Sequence, residues 1–476
     1  MRIPYYDSGM STPETTRPRV GMIGILQELY IPIYPDIVKR QEAYAARIIE
    51  RMEEHADVVF PGAVINRATM EEAFARLEQE RLDGLVIVML TYGASFNIYN
   101  ALRSWSLPIF VANVQPEASV RTEWDMADLT YNQGVHGCQD LCNALLWNGA
   151  TYEVCSEDWR DEAFGRAFGD WSRAAYAAGR LRGTRIAGVG QMPGMGDIQA
   201  NPASILKTLG PQVDNVGVGL IVREIPEADD PAVDRVIEEN STNFSVDPDL
   251  PEERHRYAAR LQVAIERFLT ANGYAGFSFY FNAPADDGRI SQLPLMAASN
   301  LMAKGYGYGG EGDLLSTILV TAGHYLDRDA CFTEMYAMDH DRDAFLMSHM
   351  GEGNWRIAET GEKPRLVDRP LGIGGLDNPP TVVFRGRPGS ATLCTLVSTT
   401  TGGFRLIVSV GEILPTERMP NVEMPYFFYR PDTGMKPCID GWLGNGGSHH
   451  QCINLGDLSH RWEHLCRILG IEYARV

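Results

Sequence analysis

The feature that most constrains the fold is an alternation of short apolar runs with amphipathic stretches through the first two thirds of the chain. The first four apolar runs span residues 19–27, 57–60, 84–90 and 109–112. Segment 35–55, between the first two runs, carries apolar residues at near-helical spacing. Strands that are buried on both faces and separated by helices are typical of a parallel sheet with helical crossovers. We therefore predict a doubly wound α/β domain over residues 1–175.

A second α/β domain is predicted over residues 176–325. The apolar runs 184–190, 216–222 and 276–281 are interpreted as its strands. Segment 226–254 is rich in proline, aspartate and glutamate, which favours a surface loop. The second domain is thus expected to repeat the architecture of the first.

After about residue 325 the pattern becomes β-rich. Glycine and proline turns separate apolar runs at 382–384, 391–398 and 404–410. We predict a β-rich, antiparallel and barrel-like domain over residues 326–476. The predicted fold class is therefore α/β, with tandem doubly wound (Rossmann or flavodoxin-like) parallel-sheet domains followed by this β-rich domain. Residues 1–18 are polar and are expected to form a loose lead-in arm, not a secretory signal.

Charge and composition exclude several classes of partner. The formal net charge is −20 and the sequence shows no basic patch, so DNA or RNA would be repelled. No apolar run reaches the roughly 18–20 residues of a membrane helix. The eight cysteines are scattered without zinc-type pairs and are expected to be reduced thiols. We predict a cytoplasmic protein that binds neither nucleic acid nor membrane, and we interpret the acidic run 339–343 as a solvated face.

A glycine-rich turn at 188–194 follows a strand-like run and suggests a dinucleotide site. The dinucleotide fingerprint needs its third glycine two residues earlier and a helix that begins at once, whereas Pro193 interrupts this turn. Asp214 lies at about the spacing of the fingerprint's acidic residue, but it precedes the run 216–222 instead of ending it. No nucleotide cofactor is therefore predicted.

Two glutamates and a set of histidines in the second half of the chain could bind a divalent cation. Glu311 lies in a glycine-rich turn, and Glu334 and His349 lie between apolar residues. The pair His449-His450 follows a second glycine-rich turn. Two carboxylates and two imidazoles suit Mn²⁺, Mg²⁺ or Co²⁺, with two coordination positions left for substrate oxygens. A solvated turn, a core histidine and a surface loop explain the same residues, so spacing alone leaves both interpretations open.

At these residues the sequence resembles the L-arabinose isomerase family, within the wider arabinose/fucose isomerase superfamily, as a divergent member. The matching words are GYGYGGEGD, FTEMY, SHMGE and GGSHH. The resemblance implies that Mn²⁺, or another divalent cation, is held by Glu311, Glu334, His349 and His450. It also implies an aldose–ketose isomerase in which Glu311 and Glu334 move a proton between C1 and C2 of an open-chain sugar through an enediol.

Weaker matches extend the resemblance over nearly the whole chain, including Q-x-L-Y at 27–30 and N-Q-x-x-H-G at 132–137. The residues that the resemblance implies as sugar contacts are Gln27, Tyr30, Gln133, His136, Phe281, Met350 and His449. The family builds its site across a subunit boundary. This implies a homohexamer here, a dimer of trimers, in which His136 reaches a neighbour's metal.

Several departures from the family fall on segments expected to face the sugar. Glu28 stands where the family has histidine, and residues 113–116 replace its His-Thr-Gln word. The family's Phe-Glu-Asp word is replaced by Phe281, Asn282 and Ala283, and Leu314 follows the Glu-Gly-Asp word where the family has tryptophan. We therefore expect the chemistry to be kept while the sugar stays unspecified. Two alternatives remain, namely an epimerase or other metal-dependent sugar enzyme on the same scaffold, and a non-catalytic sugar-binding protein.

Overall fold

The computed structural model describes residues 17–476, so the arm predicted over residues 1–18 lies outside the described residues except for its last two. The chain divides into two compact units. Their bounds are residues 17–179 with His460–Ile468 for the first unit, and Arg180–Ser459 with Leu469–Val476 for the second. The three-domain boundaries at 175 and 325 stay a prediction. Within the described residues, no helix is both long and apolar enough to cross a membrane.

A parallel sheet with helices on both faces forms the first unit. The strands are β1 (Arg19–Ile25), β2 (Asp57–Val59), β3 (Ala63–Val64), β4 (Gly84–Met89), β5 (Ile109–Ala112) and β6 (Tyr152–Cys155). The helices are α1 (Ile37–Met52), α2 (Arg67–Leu77), α3 (Phe96–Leu102), α4 (Met126–Tyr131), α5 (Gly134–Trp147) and α6 (Glu162–Arg182). The strands pair in the order β2–β1–β4–β5–β6, with β3 also against β1, and every pairing is parallel.

Burial explains why these segments fold as they do. All six residues of β4 are buried, as expected for a central strand that is covered on both faces. Helix α1 buries Ile37, Tyr44, Ile48 and Met52, which recur on one helical face. The predicted doubly wound architecture is confirmed here.

The second unit begins with another parallel sheet. Its strands are β7 (Arg185–Val189), β8 (Gln212–Asn215), β10 (Gly276–Phe279) and β11 (Gly307–Gly310), while β9 (Ser245–Val246) pairs elsewhere. The helices are α7 (Pro202–Ser204), α8 (Val218–Val222), α9 (Pro231–Asn243), α10 (Glu252–Asn272), α11 (Asn282–Asp287), α12 (Leu295–Ala303) and α13 (Leu314–Leu326). The strand order is β11–β10–β7–β8, and all pairings are parallel.

The prediction of a strand at 216–222 is wrong. The strand is β8, immediately before that run, and the run itself forms helix α8 with Val218 and Ile221 buried one turn apart. Among the described residues, β8 pairs only with β7, and as an edge strand it needs no long apolar run. Asp214 therefore lies within a strand, not ahead of one, and its carboxylate accepts a hydrogen bond from Arg185 at 2.6 Å.

The prediction of a surface loop over 226–254 is also wrong, because this segment contains helix α9 and strand β9. Asp230 caps the helix by accepting a hydrogen bond from Ala232 N at 2.8 Å, and Pro231 occupies the first helical position. Acidic residues and proline at this place are helix-start signals. The same residue types are also common in loops, which is why the segment was predicted to be a loop.

A closed antiparallel barrel follows, which confirms the predicted barrel-like domain. The strands are β12 (Cys331–Asp339), β13 (Ala344–Ser348), β14 (Arg365–Asp368), β15 (Pro380–Val383), β16 (Gly389–Ser398), β17 (Phe404–Leu414), β18 (Tyr426–Pro431), β19 (His450–Leu455) and β20 (Glu472–Arg475). The last helices are α14 (Met435–Gly444) and α15 (Ser459–Leu469). Strands pair antiparallel in the order β16–β19–β12–β13–β18–β17, and β17 pairs back with β16.

Smaller elements complete the barrel region. Strand β20 adds in parallel to β17, and β15–β14–β9 form a separate three-stranded sheet. Residues 340–343 form the exposed turn between β12 and β13, so this part of the acidic run is solvated as predicted, whereas Asp339 is half-buried and paired with Arg342. Closure of the barrel places β12 between β19 and β13, which decides the geometry of the site.

Candidate metal centre

The pairing of three barrel strands brings three of the predicted metal ligands together. Glu334 on β12 lies opposite His450 on β19 and, on its other side, opposite Ser348 on β13. His349 directly follows Ser348. Main-chain hydrogen bonds between neighbouring strands therefore fix one carboxylate between two imidazoles that are distant in sequence.

Glu311, the fourth predicted ligand, follows β11 at the carboxyl end of the parallel sheet. Its N–H donates to Phe279 O at 3.0 Å, and its carbonyl oxygen accepts from Met192 N at 2.8 Å. Its φ of 62° lies in the left-handed region, which residues other than glycine rarely adopt. Gly312 follows with a φ of 85°. Such strained backbone persists only where surrounding structure holds it, and it is common at functional sites.

Replacing Gly312 by alanine is expected to lower the free energy of unfolding by about 3 kcal/mol. A Cβ at this position would lie 2.4 Å from Gln191 Cα and 2.5 Å from Gly190 O, in addition to the unfavourable φ. Gly194→Ala is the control, because Gly194 has a φ of +87° but nothing within 4 Å of its added Cβ. Its expected cost is about 1 kcal/mol. Equal costs in urea denaturation would contradict the close approach.

Inward atoms of neighbouring side chains in this set lie 3.4–3.9 Å apart. His450 Nε2 is 3.4 Å from Glu334 Oε1 and 3.7 Å from Glu311 Oε2. His349 Nε2 is 3.9 Å from Glu334 Oε2. Atoms that each bind one ion at about 2.0–2.2 Å are themselves roughly 3–4 Å apart. The spacing is that of cation ligands in two overlapping groups that share His450, one with Glu334 and His349 and one with Glu311 and His449.

Both histidines are held by carboxylates on their outer nitrogen. His349 Nδ1 lies 2.6 Å from Glu352 Oε2, and His450 Nδ1 lies 2.9 Å from Asp313 Oδ2. The Nε2 atoms of both rings and Glu311 Oε2 are buried and have no hydrogen-bond partner. Metal-binding histidines ordinarily donate their other N–H to a carboxylate in this way. The residues present thus fit a divalent cation, which would satisfy three otherwise orphaned atoms.

Electrostatics in the centre favour ionised carboxylates. Burial raises the pKa of the Glu334 carboxyl, but the His450 ring, 3.4 Å away, and the charge of His349 outweigh burial and lower this pKa. Burial also raises the pKa of Glu352, and His349 more than reverses that effect. Burial lowers the pKa of His349, but the Glu352 carboxylate raises it overall. The carboxylates are therefore ionised, and the raised pKa of His349 means that its ring must release a proton before Nε2 can bind a cation.

His449 occupies a different position from His450. Its Nε2 lies 3.7 Å from both Glu311 Oε2 and Glu334 Oε1, so it belongs to a second possible metal group with Glu311 and His450. Unlike the buried His450, its side chain is 40% exposed. Asp197 accepts hydrogen bonds from His449 Nδ1 at 2.6 Å and from Ser448 Oγ at 3.0 Å. With Nδ1 held by Asp197, Nε2 faces the two glutamates, where a molecule that enters the site would meet it.

The sequence matches known proteins over nearly its full length. The family models of the L-arabinose isomerase central domain and C-terminal domain match residues 200–329 and 329–472, respectively. The L-arabinose isomerase of Nocardioides sp. is 29% identical over 464 residues, covering 93% of this chain and 91% of the relative. That of Leuconostoc mesenteroides subsp. mesenteroides is 28% identical over 473 residues, covering 93% and 96%. The chain belongs to the L-arabinose isomerase family.

Membership of the L-arabinose isomerase family confirms the resemblance predicted from the four sequence words. A third relative, L-arabinose isomerase 1 of Bacillus licheniformis, is 26% identical over 464 residues and covers 92% of each chain. Identities this low over such long alignments mark a divergent member.

The sugar contacts that the family resemblance implies are divided between the two units. In the second unit, Phe281 and Met350 both pack against one small cluster of buried leucines, Leu293, Leu295 and Leu371. His449 is the third predicted contact in this unit, and its Nε2 faces the two glutamates. An apolar wall and an imidazole are the kinds of group that exclude water and position a hydroxyl.

The remaining predicted contacts lie at the carboxyl edge of the first unit's sheet. Gln27 follows β1, and its N–H donates to Thr91 Oγ1, just beyond β4, at 3.1 Å. Gln133 precedes α5, whose first residue is packed so closely that a Cβ on Gly134 would lie 2.6 Å from Met89 O. Also at this edge are Tyr30, in the turn after β1, and His136, in the first turn of α5. Ligands of open α/β sheets bind at this edge.

Sequence reasoning missed the carboxylates and the tyrosine that support the histidines. Glu352 follows His349 by three residues and ends the word SHMGE, and Asp313 ends the word GYGYGGEGD. Both residues therefore lie in the matching words, but no function was predicted for either. Tyr308, which contacts Glu352, lies in the same word as Asp313. Asp197 carried no signal, because it lies 252 residues from His449 in a loop that no motif marks.

Proposed function

We propose that this chain is a metal-dependent aldose–ketose isomerase that resembles L-arabinose isomerase but has altered sugar-facing residues. The observation that carries the proposal is the set of inward atoms, Glu311 Oε2, His349 Nε2 and His450 Nε2, that are buried without partners beside Glu334. Plain sugar binding does not require two carboxylates and two imidazoles around one point. This ligand set suits Mn²⁺ first, and Mg²⁺ or Co²⁺ as alternatives.

When bound, the cation supplies a Lewis acid that polarises the carbonyl group of the sugar. Glu311 and Glu334 each have side chains that are only 15% exposed, so they act in a partly desolvated environment. One of these carboxylates removes the proton from C2 of the aldose and returns it to C1. The O2 hydroxyl proton passes to O1, so the enediol becomes a ketose with no net gain or loss of atoms.

His449 contributes by positioning a sugar hydroxyl. The Glu311 carboxylate raises the pKa of His449 most, and Asp197 raises it further, so the ring keeps a proton on Nδ1 toward Asp197 and favours a second proton on Nε2, which donates to a sugar oxygen beside the glutamates. Burial raises the pKa of Asp197, but the hydrogen bonds with His449 outweigh it and lower this pKa to about 2. Asp197 thus remains an acceptor over the whole physiological range.

Asp197→Asn is expected to reduce kcat/KM about tenfold, because the amide weakens the control that Asp197 exerts over the His449 ring. The affinity for Mn²⁺ should change less than about twofold, since Asp197 contacts none of the four proposed ligands. Asp341→Asn, in the exposed turn between β12 and β13, is the matched control and should behave as wild type. An unchanged kcat/KM in Asp197→Asn would remove His449 from its positioning role.

The proposal includes a homohexamer, a dimer of trimers, in which His136 and Gln133 of one subunit complete the sugar site of another. What supports it is the family resemblance together with the exposed His136 side chain at the carboxyl edge of the sheet. Light scattering coupled to size exclusion should give six times the mass of one 52.8 kDa chain. A monomer that turns over sugar at full rate would contradict this part of the proposal.

Product analysis tests the reaction class. Aldoses labelled with ¹³C at C1 are incubated with the Mn²⁺-loaded protein and followed by NMR. Isomerisation converts the labelled C1 aldehyde into a hydroxymethyl carbon and creates a new C2 ketone. Retention of the aldehyde with inverted C2 would identify an epimerase, and titrated binding without turnover across aldoses and ketoses would identify a sugar-binding protein. Either result would replace the isomerase proposal.

A further inference from the structure

Glu352 is a buried carboxylate that is not among the proposed metal ligands and yet has a partner on each of its oxygens. Its Oε2 lies 2.6 Å from His349 Nδ1, and its Oε1 accepts a hydrogen bond from the Tyr308 hydroxyl at 2.7 Å. Glu352 is only 6% exposed and Tyr308 only 2%. Solvent therefore cannot readily substitute for either partner.

Tyr308 lies on the strand that delivers Glu311 to the same centre. It is the second residue of β11, and Glu311 follows the end of that strand. Its ring is fixed by edge contacts with Phe277 and Phe332, at centroid distances of 5.1 and 5.7 Å. Phe332 also packs against the His349 ring at 4.5 Å. The hydroxyl has little freedom to point anywhere except toward Glu352.

The same strand also leaves room for the His349 ring. A Cβ on Gly310 would lie 3.0 Å from His349 Cε1. Strand β11 therefore determines three features of the centre, namely the position of Glu311, the space beside His349 and the hydrogen bond that reaches His349 through Glu352. A strand of the parallel sheet thus helps to position His349, which belongs to the barrel.

We propose that Tyr308 is a positioning residue for the metal centre, which acts through Glu352 to hold the His349 ring with Nε2 toward the cation. This inference rests on the cation of the proposed function. Removing the hydroxyl leaves Oε1 of a buried carboxylate without a donor, and because solvent cannot readily replace it, the carboxylate relieves this cost by rotating. Rotation loosens the 2.6 Å contact with His349 Nδ1. Loss of support outside the ligand shell typically weakens metal affinity about 10–100-fold.

The test uses the full-length protein, stripped with EDTA and titrated with Mn²⁺ while free Mn²⁺ is followed by electron paramagnetic resonance. Tyr308→Phe keeps the ring and removes only the hydroxyl, and its dissociation constant for Mn²⁺ should rise about tenfold. Tyr274→Phe is the matched control, because its buried hydroxyl donates to Asp214 at 3.1 Å in a part of the unit that supplies no proposed ligand. Its Mn²⁺ affinity should stay within about twofold of wild type.

A second pair of variants separates positioning from general loss of structure. In a Glu352→Ala background, Tyr308→Phe should cause no further loss of Mn²⁺ affinity, because its route to His349 is already cut. Wild-type affinity in Tyr308→Phe, or equal losses in the two backgrounds, would overturn the inference while leaving the isomerase proposal intact. A wild-type protein that binds no Mn²⁺, Mg²⁺ or Co²⁺ would overturn both. The absorption spectrum of the Co²⁺ form gives an independent readout, and it should change in Tyr308→Phe but not in Tyr274→Phe.

Discussion

Replacing Glu334 by glutamine is expected to reduce aldose–ketose interconversion by about 10³–10⁴-fold. The amide is nearly isosteric, but it carries no negative charge for the cation and accepts no proton from the sugar. Both functions converge on this side chain, whose Oε1 lies 3.4 Å from His450 Nε2 and whose Oε2 lies 3.9 Å from His349 Nε2. Glu311→Gln should have an effect of similar size, because Glu311 Oε2 faces the same point.

Loss of turnover must be separated from loss of the fold. In the metal-free state, circular dichroism and the unfolding midpoint of both glutamine variants should remain close to wild type, since the change is local and conserves volume. Glu362→Gln is the control, because Glu362 is an exposed glutamate that is paired with Arg385 at 2.9 Å and lies in neither proposed metal group. Its turnover should equal that of wild type. Near-wild-type turnover in Glu334→Gln or Glu311→Gln would refute the proposed catalytic role.

Removal of the divalent cation is expected to abolish activity, and added Mn²⁺ is expected to restore it. Without a cation, the sugar carbonyl group has no Lewis acid, and only the neighbouring imidazoles offset the charge of the closely spaced carboxylates. Saturating the site at 100 times the dissociation constant should stabilise the folded state by about 2.7 kcal/mol. The measurements are sugar conversion and thermal unfolding of stripped protein before and after addition of Mn²⁺, Mg²⁺ or Co²⁺.

The stripped Glu334→Gln variant provides the internal comparison for metal removal. Its unfolding temperature should rise less on addition of Mn²⁺ than that of wild type, because one ligand of the proposed set is missing. A fully stripped wild-type protein that still interconverts sugars would refute the metal-dependent mechanism. Equal stabilisation of the two proteins would place the cation elsewhere.

Much of the fold was predictable because its signals are local. Helix α1 is predicted by the helical spacing of its apolar residues, and strand β4 by its continuous apolar run. The barrel is predicted by short apolar runs with glycine and proline turns between them. Strand β8 was not predicted, because an edge strand lies against one neighbour and tolerates polar residues on both faces. Helix α9 was not predicted, because proline and aspartate occur both at helix starts and in loops. Burial of one apolar face in the structure is what distinguishes the helix from a loop.

In the candidate site, the identity of the ligands was predictable from local sequence, but their spatial arrangement was not. Glu311, Glu334, His349 and His450 could be named because each stands in a recognisable word, but only the pairing of β12 with β19 and β13 brings three of them together. Strands β12 and β13 form a local hairpin, but the pairing of Glu334 with His450 joins residues 116 apart in the sequence and has no local signal. The hydrogen bond between Asp197 and His449 is of the same long-range kind and leaves no local pattern.

The strand register around Glu334 also bears on how such a protein can diverge. Main-chain hydrogen bonds, which are indifferent to side-chain identity, hold Glu334 opposite His450 and Ser348. The departures at Glu28 and Asn282 lie outside the paired strands, in a short helical turn and at the start of α11. Mutation can therefore explore new carbohydrate preferences in these connecting segments while the ion-holding framework is inherited unchanged.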